Sequence, residues 1–237
     1  MRRLIALLLS LLAGVAFAAT PEEDAQHYLE IFGGDTGHER AVEELAWKGI
    51  TDQRVYDLIE SRLLADYQGA RRDREARGRV ARYIRALGFS GQEKYRPTIA
   101  RFVDDVDYTR YAKTAMGDLG LYSQWNAVIS NRATFDPALS DDSNRVMNML
   151  RSSDPLLQKV GAKGVYFREH DPVVVDLLAE KVRERYRVSD PENADTNAWM
   201  VKALGKAGRE KYFQLLQDVR ANAADRGLRN QAESALR

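Results

Sequence analysis

His38-Glu39, in HERAVEELA, sets an imidazole beside a carboxylate, the two side-chain types that most often hold a catalytic transition metal. Such a site needs several N and O ligands converging in space. The other two histidines do not repeat the pair, since His27 precedes Tyr28 and His170 precedes Asp171. In the first turn of a helix, Glu39 would instead favour the helix dipole. Asp104-Asp105 and Asp141-Asp142 offer paired carboxylates for general acid–base work. Both pairs fall near predicted helix ends or loops, where they read as capping or solvated groups. Nucleophilic catalysis needs a nucleophile with a base held against it. The chain has no cysteine, and none of its serines lies in a Gly-x-Ser-x-Gly turn. GFSG at 88–91 and GKAG at 205–208 match no phosphate-binding loop and read as turns between helices. No catalytic, metal-ligating or cofactor-binding residue is therefore assigned. An exported enzyme or metalloprotein whose site is assembled from distant residues is the alternative.

Binding chemistry is better represented. Arg71, Arg72, Arg74, Arg77 and Arg79, continuing to Arg82 and Arg85, form the densest basic stretch. Asp73 and Glu75 interleave with it, and helical spacing spreads the arginines around the helix, so it reads as a solvated face beside a linker. Trp47, Trp125 and Trp199 are candidate interface anchors if exposed. Trp199 sits beside Met200 and Val201 in a packing helix, which favours the core.

Composition narrows the classes. Met1–Ala18 reads MRRLIALLLSLLAGVAFA: two arginines, an apolar run from Leu4 to Val15, then small residues at Ala16 and Ala18. This is the pattern of a secretory signal peptide cleaved after Ala18. The other reading is a retained anchor, but the run is shorter than the ~20 apolar residues that span a bilayer. Without cysteine there is no lipid attachment and no disulfide, so an exported fold must rest on its packed core. A bacterial periplasm is expected, with secretion as the alternative. No later stretch is long and apolar enough to span a membrane. The chain carries 36 basic and 35 acidic residues, and the balance falls to 34 against 35 once Arg2 and Arg3 are removed. Mixed charge without a basic excess argues against a nucleic-acid partner.

The elements that would position these groups are repeated. Ala86, Leu87, Gly88, Gly91, Glu93, Lys94 and Tyr95 recur 117 residues on as Ala203, Leu204, Gly205, Gly208, Glu210, Lys211 and Tyr212. Tyr111–Met116 resembles Gln231–Leu236, Lys48-Gly49-Ile50 resembles Lys163-Gly164-Val165, and Asp57-Leu58-Ile59 resembles Asp176-Leu177-Leu178. Residues 39–119 and 155–237 thus read as two copies of one block, the mark of a repeat architecture. After the signal (1–18) and a lead-in (19–38), the solenoid covers 39–237, with an irregular middle at 120–150 holding Trp125, Phe135 and Asp141-Asp142.

The period inside each block is helical. Val80, Tyr83, Ile84 and Leu87 fall on one face, as do Tyr95, Thr98, Ile99 and Phe102, and Tyr212, Leu215, Leu216 and Val219. Gly88 and Gly205 fall where left-handed C-caps are expected. Asp-Pro at 154–155, 171–172 and 190–191, and less clearly at 136–137, marks helix starts. The expected fold is an all-α superhelix of antiparallel pairs: 39–50 with 52–67, 74–88 with 91–104, 155–169 with 171–187, and 193–205 with 208–222.

A helix ending Ala203-Leu204-Gly205, a turn, then EKYFQLLQDV and LRNQAESAL, resembles HEAT repeats of the short bacterial kind. The resemblance covers most of 39–237 and implies an α-solenoid that acts as an interaction surface, with the second helix of each pair lining the concave side. On that face lie Arg54 and Asp57, Lys94 and Arg101, Asp176, Glu180 and Arg183, and Lys211 and Asp218. Arg54, Lys94, Arg101, Arg183 and Lys211 are accordingly the expected contacts to a protein or peptide partner of mixed charge. Deoxyhypusine hydroxylase, an iron enzyme built on such repeats, uses several His-Glu pairs at repeat starts; only His38-Glu39 matches that pattern. A purely structural cap or spacer is a further reading, since Leu236-Arg237 ends inside a helical pattern without an obvious polar cap.

Overall fold

The computed structural model describes residues 20–168 and 171–237. The expected signal segment and His170 lie outside them. Among the described residues there are twelve α-helices and no strand: α1 (Pro21–Gly33), α2 (His38–Lys48), α3 (Gln53–Gly69), α4 (Arg74–Phe89), α5 (Arg96–Ala100), α6 (Thr109–Ile129), α7 (Asp141–Arg151), α8 (Pro155–Phe167), α9 (Pro172–Arg185), α10 (Ala194–Gly208), α11 (Phe213–Asn222) and α12 (Arg226–Leu236). None is long and apolar enough to cross a membrane.

The stripes predicted from periodicity are the buried ones. Val80, Tyr83, Ile84 and Leu87 are buried, and so are Tyr95, Ile99, Phe102, Tyr212, Leu216 and Val219. Burying a side chain of this size is worth about 1.5–3 kcal/mol, and stacking neighbours makes the stripes into one continuous core. Helix starts follow the Asp-Pro rule in part. Asp154 accepts from the amides of Leu156 and Leu157 ahead of α8, and Pro172 opens α9. Pro191 opens a 3-10 turn, Pro191–Asn193, that leads into α10. Asp136-Pro137 starts no helix; Asp136 caps a turn through the Ala138 amide.

Three expectations need correction. Gly88 and Gly205 are not left-handed caps, since both are helical and positive φ among the described residues is confined to Gly37, Gly49 and Gly91. They are glycine because helices meet there. A Cβ on Gly88 would lie 2.8 Å from the Ala115 backbone, and one on Gly205 would lie 2.4 Å from Ala235 Cβ. Ala115 and Ala235 occupy matching places in the two blocks, so the close approach is itself repeated. Second, the pairing frame is shifted by one helix. The close antiparallel neighbours are α3 with α4, α7 with α8, α9 with α10 and α11 with α12. Short turns flank nearly every helix, so periodicity is compatible with either frame. Third, the segment 120–150 is largely helical: α6 runs unbroken to Ile129, a 3-10 turn follows at Arg132–Thr134, and α7 begins at Asp141.

Helices two apart form layers. The even-numbered helices pack side by side as α2–α4–α6 and α8–α10–α12, and α1–α3 and α7–α9 pack on the other side. The blocks join through α2, which touches α4 and α6 of its own block, α7 of the middle segment and α8 of the second block, and through α6 packing on α7. At the far end, α12 buries Leu228 and Ala232 and exposes Arg226, Asn230, Glu233 and Arg237.

Candidate functional site

The repeat places the same small network on the odd-numbered side twice. Lys94 Nζ and Tyr95 Oη donate to Asp57 at 2.5 and 2.8 Å. Lys211 Nζ and Tyr212 Oη donate to Asp176 at 2.6 and 2.5 Å. Each latch ties the start of one helix to the preceding helix of its layer. The lysine and tyrosine bonds hold Asp57 and Asp176 below the usual carboxylate range. Tyr186 and Arg187 reach Asp218 in a similar way.

Four of the five expected partner contacts are taken up inside this face. Arg54 pairs with Asp52 at 2.6 Å and Glu22 at 2.7 Å. Lys94 and Lys211 belong to the latches, and the Arg183 guanidinium lies 5.6 Å over the Tyr212 ring. Arg101 is exposed. None of the five lines the large cleft of the molecule, which opens among the even-numbered helices.

That cleft measures about 1130 Å³ and draws its walls from α2, α4, α6, α8 and α10, hence from both blocks. Its apolar surface is aromatic: Trp47, Phe89, Tyr111, Phe167 and Trp199. Phe167, at the end of α8, is 61% exposed, which is unusual for so large an apolar ring. Trp199 meets Tyr166 edge-to-face at 5.8 Å. Lys163 and Lys202 lie over the Trp199 ring at 4.9 and 4.4 Å. Arg85 lies over Phe89 at 5.4 Å. Trp125, by contrast, is buried and donates its indole N–H to Asp154.

The charges in and around the cleft fall into two groups. Where the blocks meet, each cation named here is answered by a carboxylate. Arg145, with 3% of its side chain exposed, reaches Asp24 at 2.5 Å and Asp142 at 3.1 Å. Lys48 and Arg168 also reach Asp142, Arg168 and Arg40 reach Glu44, and Arg132 bridges Asp24 and Asp141. Burial alone would raise the Asp142 carboxyl, but Lys48, Arg145 and Arg168 outweigh it and hold it below the usual range. The second group lies toward α4, α6 and α8, and in it Arg85 is exposed and Lys163 half-buried. Arg79, Arg82 and Lys159 have partners in Asp66, Glu39 and Asp195. Arg85 and Lys163 form no ion pair among the described residues. Burial lowers the Lys163 ammonium, with Lys159 and Arg85 adding to the effect. Asp118, on α6, is pushed up to about 6 by burial, against the pull of Arg85 and Lys163.

His38 does not start a metal site. Its Nε2 donates to the Gly34 carbonyl at 2.9 Å, and its Nδ1 meets the Tyr83 hydroxyl at 2.6 Å. Glu39 is engaged by Arg82. Among the described residues no three His, Asp or Glu side chains are placed to share a metal ion. The residues present therefore do not fit an iron centre built from such pairs. Sequence reasoning put Arg85 in a solvated basic stretch, Trp199 in the core, and gave Lys163 and Phe167 no role. The available signal was the i, i+3 pair Arg82 and Arg85 opposite the apolar stripe of α4.

No protein-family model matches this chain, and no curated protein matches it. Among solved structures, human deoxyhypusine hydroxylase in complex with glycerol is similar to it, at 13% identity and a TM-score of 0.39, over 92% of this chain and 90% of that one.

Proposed function

We propose that this chain is a non-catalytic binding or scaffolding module of HEAT-repeat type, which holds a segment of a partner protein in the cleft of its even-numbered layer. The observation that carries this reading is an open cleft of about 1130 Å³ whose aromatic rings and unpaired cations come from both blocks. Pockets for small ligands span roughly 300–1,000 Å³ and enclose most of the ligand; an open cleft above that range suits a length of chain. The apolar run of Leu4–Val15 supports placing the partner in a bacterial cell envelope. Aromatic rings with cations beside them are the side chains that most often anchor protein interfaces.

A photo-crosslinking residue at Phe167 or at Arg101 tests the assignment in living cells. Phe167 is expected to trap one recurrent envelope protein, and Arg101 none. Capture from Arg101 alone would move the contact to the odd-numbered face first expected from the sequence. Capture from neither would end the reading.

A further inference from the structure

Every cation at the block junction has a carboxylate, and so do the cations of the latches. Two cleft cations form no ion pair among the described residues. Arg85 on α4 and Lys163 on α8 both line the cleft, and the Asp118 carboxyl of α6 feels the charge of each. Both side chains lie along aromatic rings, Phe89 and Trp199. A cation held over a ring keeps its charge available on the other side, and the half-burial of Lys163 makes a new anionic partner there more valuable. Beside them Phe167 stands out from the end of α8, where the chain leaves an apolar ring in water.

We propose that the cleft receives an acidic peptide segment, in which an Asp or Glu carboxylate sits against Arg85 and Lys163 and a neighbouring aromatic side chain rests on Phe167 and Trp199. This rests on the cleft being the docking site argued above and adds the chemistry of its occupant. Charge complementarity selects the carboxylate. The surrounding acids set the limit: Glu43 lies on the α2 wall and Asp118 on α6. A uniform polyanion such as single-stranded nucleic acid would meet both, while a short acidic motif can lie between them. The rings give the second half of the code, because a carboxylate alone would be indifferent to the Phe167 wall.

The test is a random decapeptide library displayed on phage and selected on the full chain, followed by affinity measurement of the enriched peptides. The expected outcome is enrichment of Asp or Glu within two positions of an aromatic residue. The enriched peptides should bind the Arg85→Glu, Lys163→Glu double variant at least about tenfold more weakly and the Arg101→Glu variant unchanged. They should also weaken as salt rises. Should the double variant lose its helical circular dichroism, Phe167→Ala replaces it; that side chain is mostly exposed, and its loss should weaken the same peptides. Enrichment of neutral or basic peptides, no enrichment, or equal binding by the Glu variants overturns the proposal. Tighter binding of a 20-nucleotide single strand than of any peptide also overturns it and reassigns the cleft. If Phe167 crosslinks a partner in cells while acidic peptides fail, the docking reading stands and only the ligand chemistry falls.

Discussion

The two faces of this molecule use charge differently. On the odd-numbered side the cations recur with the repeat and are satisfied by it: Lys94 and Lys211 each meet an aspartate one helix back, with a tyrosine hydroxyl on the same carboxylate. On the even-numbered side the repeat is broken where the cleft is richest. The position matching Arg82 is Trp199, and the one matching Phe89 is Lys206, at the 117-residue offset. Lys48, matching Lys163, is tied to Asp142, while Lys163 forms no ion pair among the described residues. Repeated charges hold repeats together. Arg85 and Lys163 also recur as cations, matching Lys202 and Lys48, but neither forms an ion pair among the described residues, and that is why the cleft and not the latched face is the candidate for binding.

The sharpest break of that comparison is at the junction, where a charge is both unrepeated and fully answered. Arg145→Ala would leave Asp24 and Asp142 without their buried partner. Losing one member of a buried pair costs about 3–5 kcal/mol. The expected result is a large fall in the urea midpoint, read by circular dichroism. A loss under ~1 kcal/mol would show that water replaces the guanidinium and that the blocks are joined by packing alone.

Glycines give the next largest effect and separate packing from propensity. Gly88→Ala should destabilise by about 1–3 kcal/mol, because the new methyl meets the Ala115 backbone at 2.8 Å and backbone cannot step aside. Gly117→Ala, in the middle of α6 with nothing within 4 Å, should stabilise by up to ~1 kcal/mol through helix propensity. Thermal unfolding of the two variants beside the parent decides; shifts of the same sign would refute the close-approach account.

The sequence's legibility follows the range of each interaction. Helix faces such as Val80–Leu87 are set by spacing within one element, and they were readable. The duplication was readable because Gly88 and Ala115, and Gly205 and Ala235, must stay small together. The junction was not, since Arg145 and Asp24 are 121 residues apart and neither block contains both partners. The pairing frame was not, because nearly every helix has a short turn at either end. The side on which the cleft opens depends on α2 touching α7 and α8, a contact between blocks that no period within a block encodes.

The latches should weigh less than the glycines. Tyr212→Phe removes one hydroxyl from Asp176 but leaves Lys211 in place. A hydrogen bond to a charged group is worth about 1.5–3 kcal/mol when lost outright, and this one is half-exposed, so about 1 kcal/mol is expected. Tyr95→Phe, its counterpart on Asp57, should cost a similar amount in chemical denaturation. Equal costs would support one device used twice; a cost at only one site would mean that the blocks have diverged in how they are held.

The smallest effect tests whether the cleft is electrically strained as the latched face is not. Asp118 is pushed up to about 6 in the fold, above its ordinary value of 3.8. The native state therefore holds a proton there more tightly than the unfolded chain does, and between those two values stability falls as pH rises. The penalty is absent below about pH 4 and complete above about pH 6. Arg85 from α4 and Lys163 from α8 face the group and hold the penalty down; without them burial would raise the carboxyl further. Solvent in an open cleft discounts the remainder to about 1 kcal/mol. Asp118→Asn should thus match the parent near pH 4 and exceed it by about that amount at pH 7. The difference between the two denaturation curves cancels the opposite acid sensitivity of Asp142 and Glu44, which are held below the usual range and lose their contribution as pH falls. A flat difference from pH 4 to 7 would mean that water reaches Asp118 freely. Lys163 would then lose the partial desolvation that makes it valuable to an anionic partner.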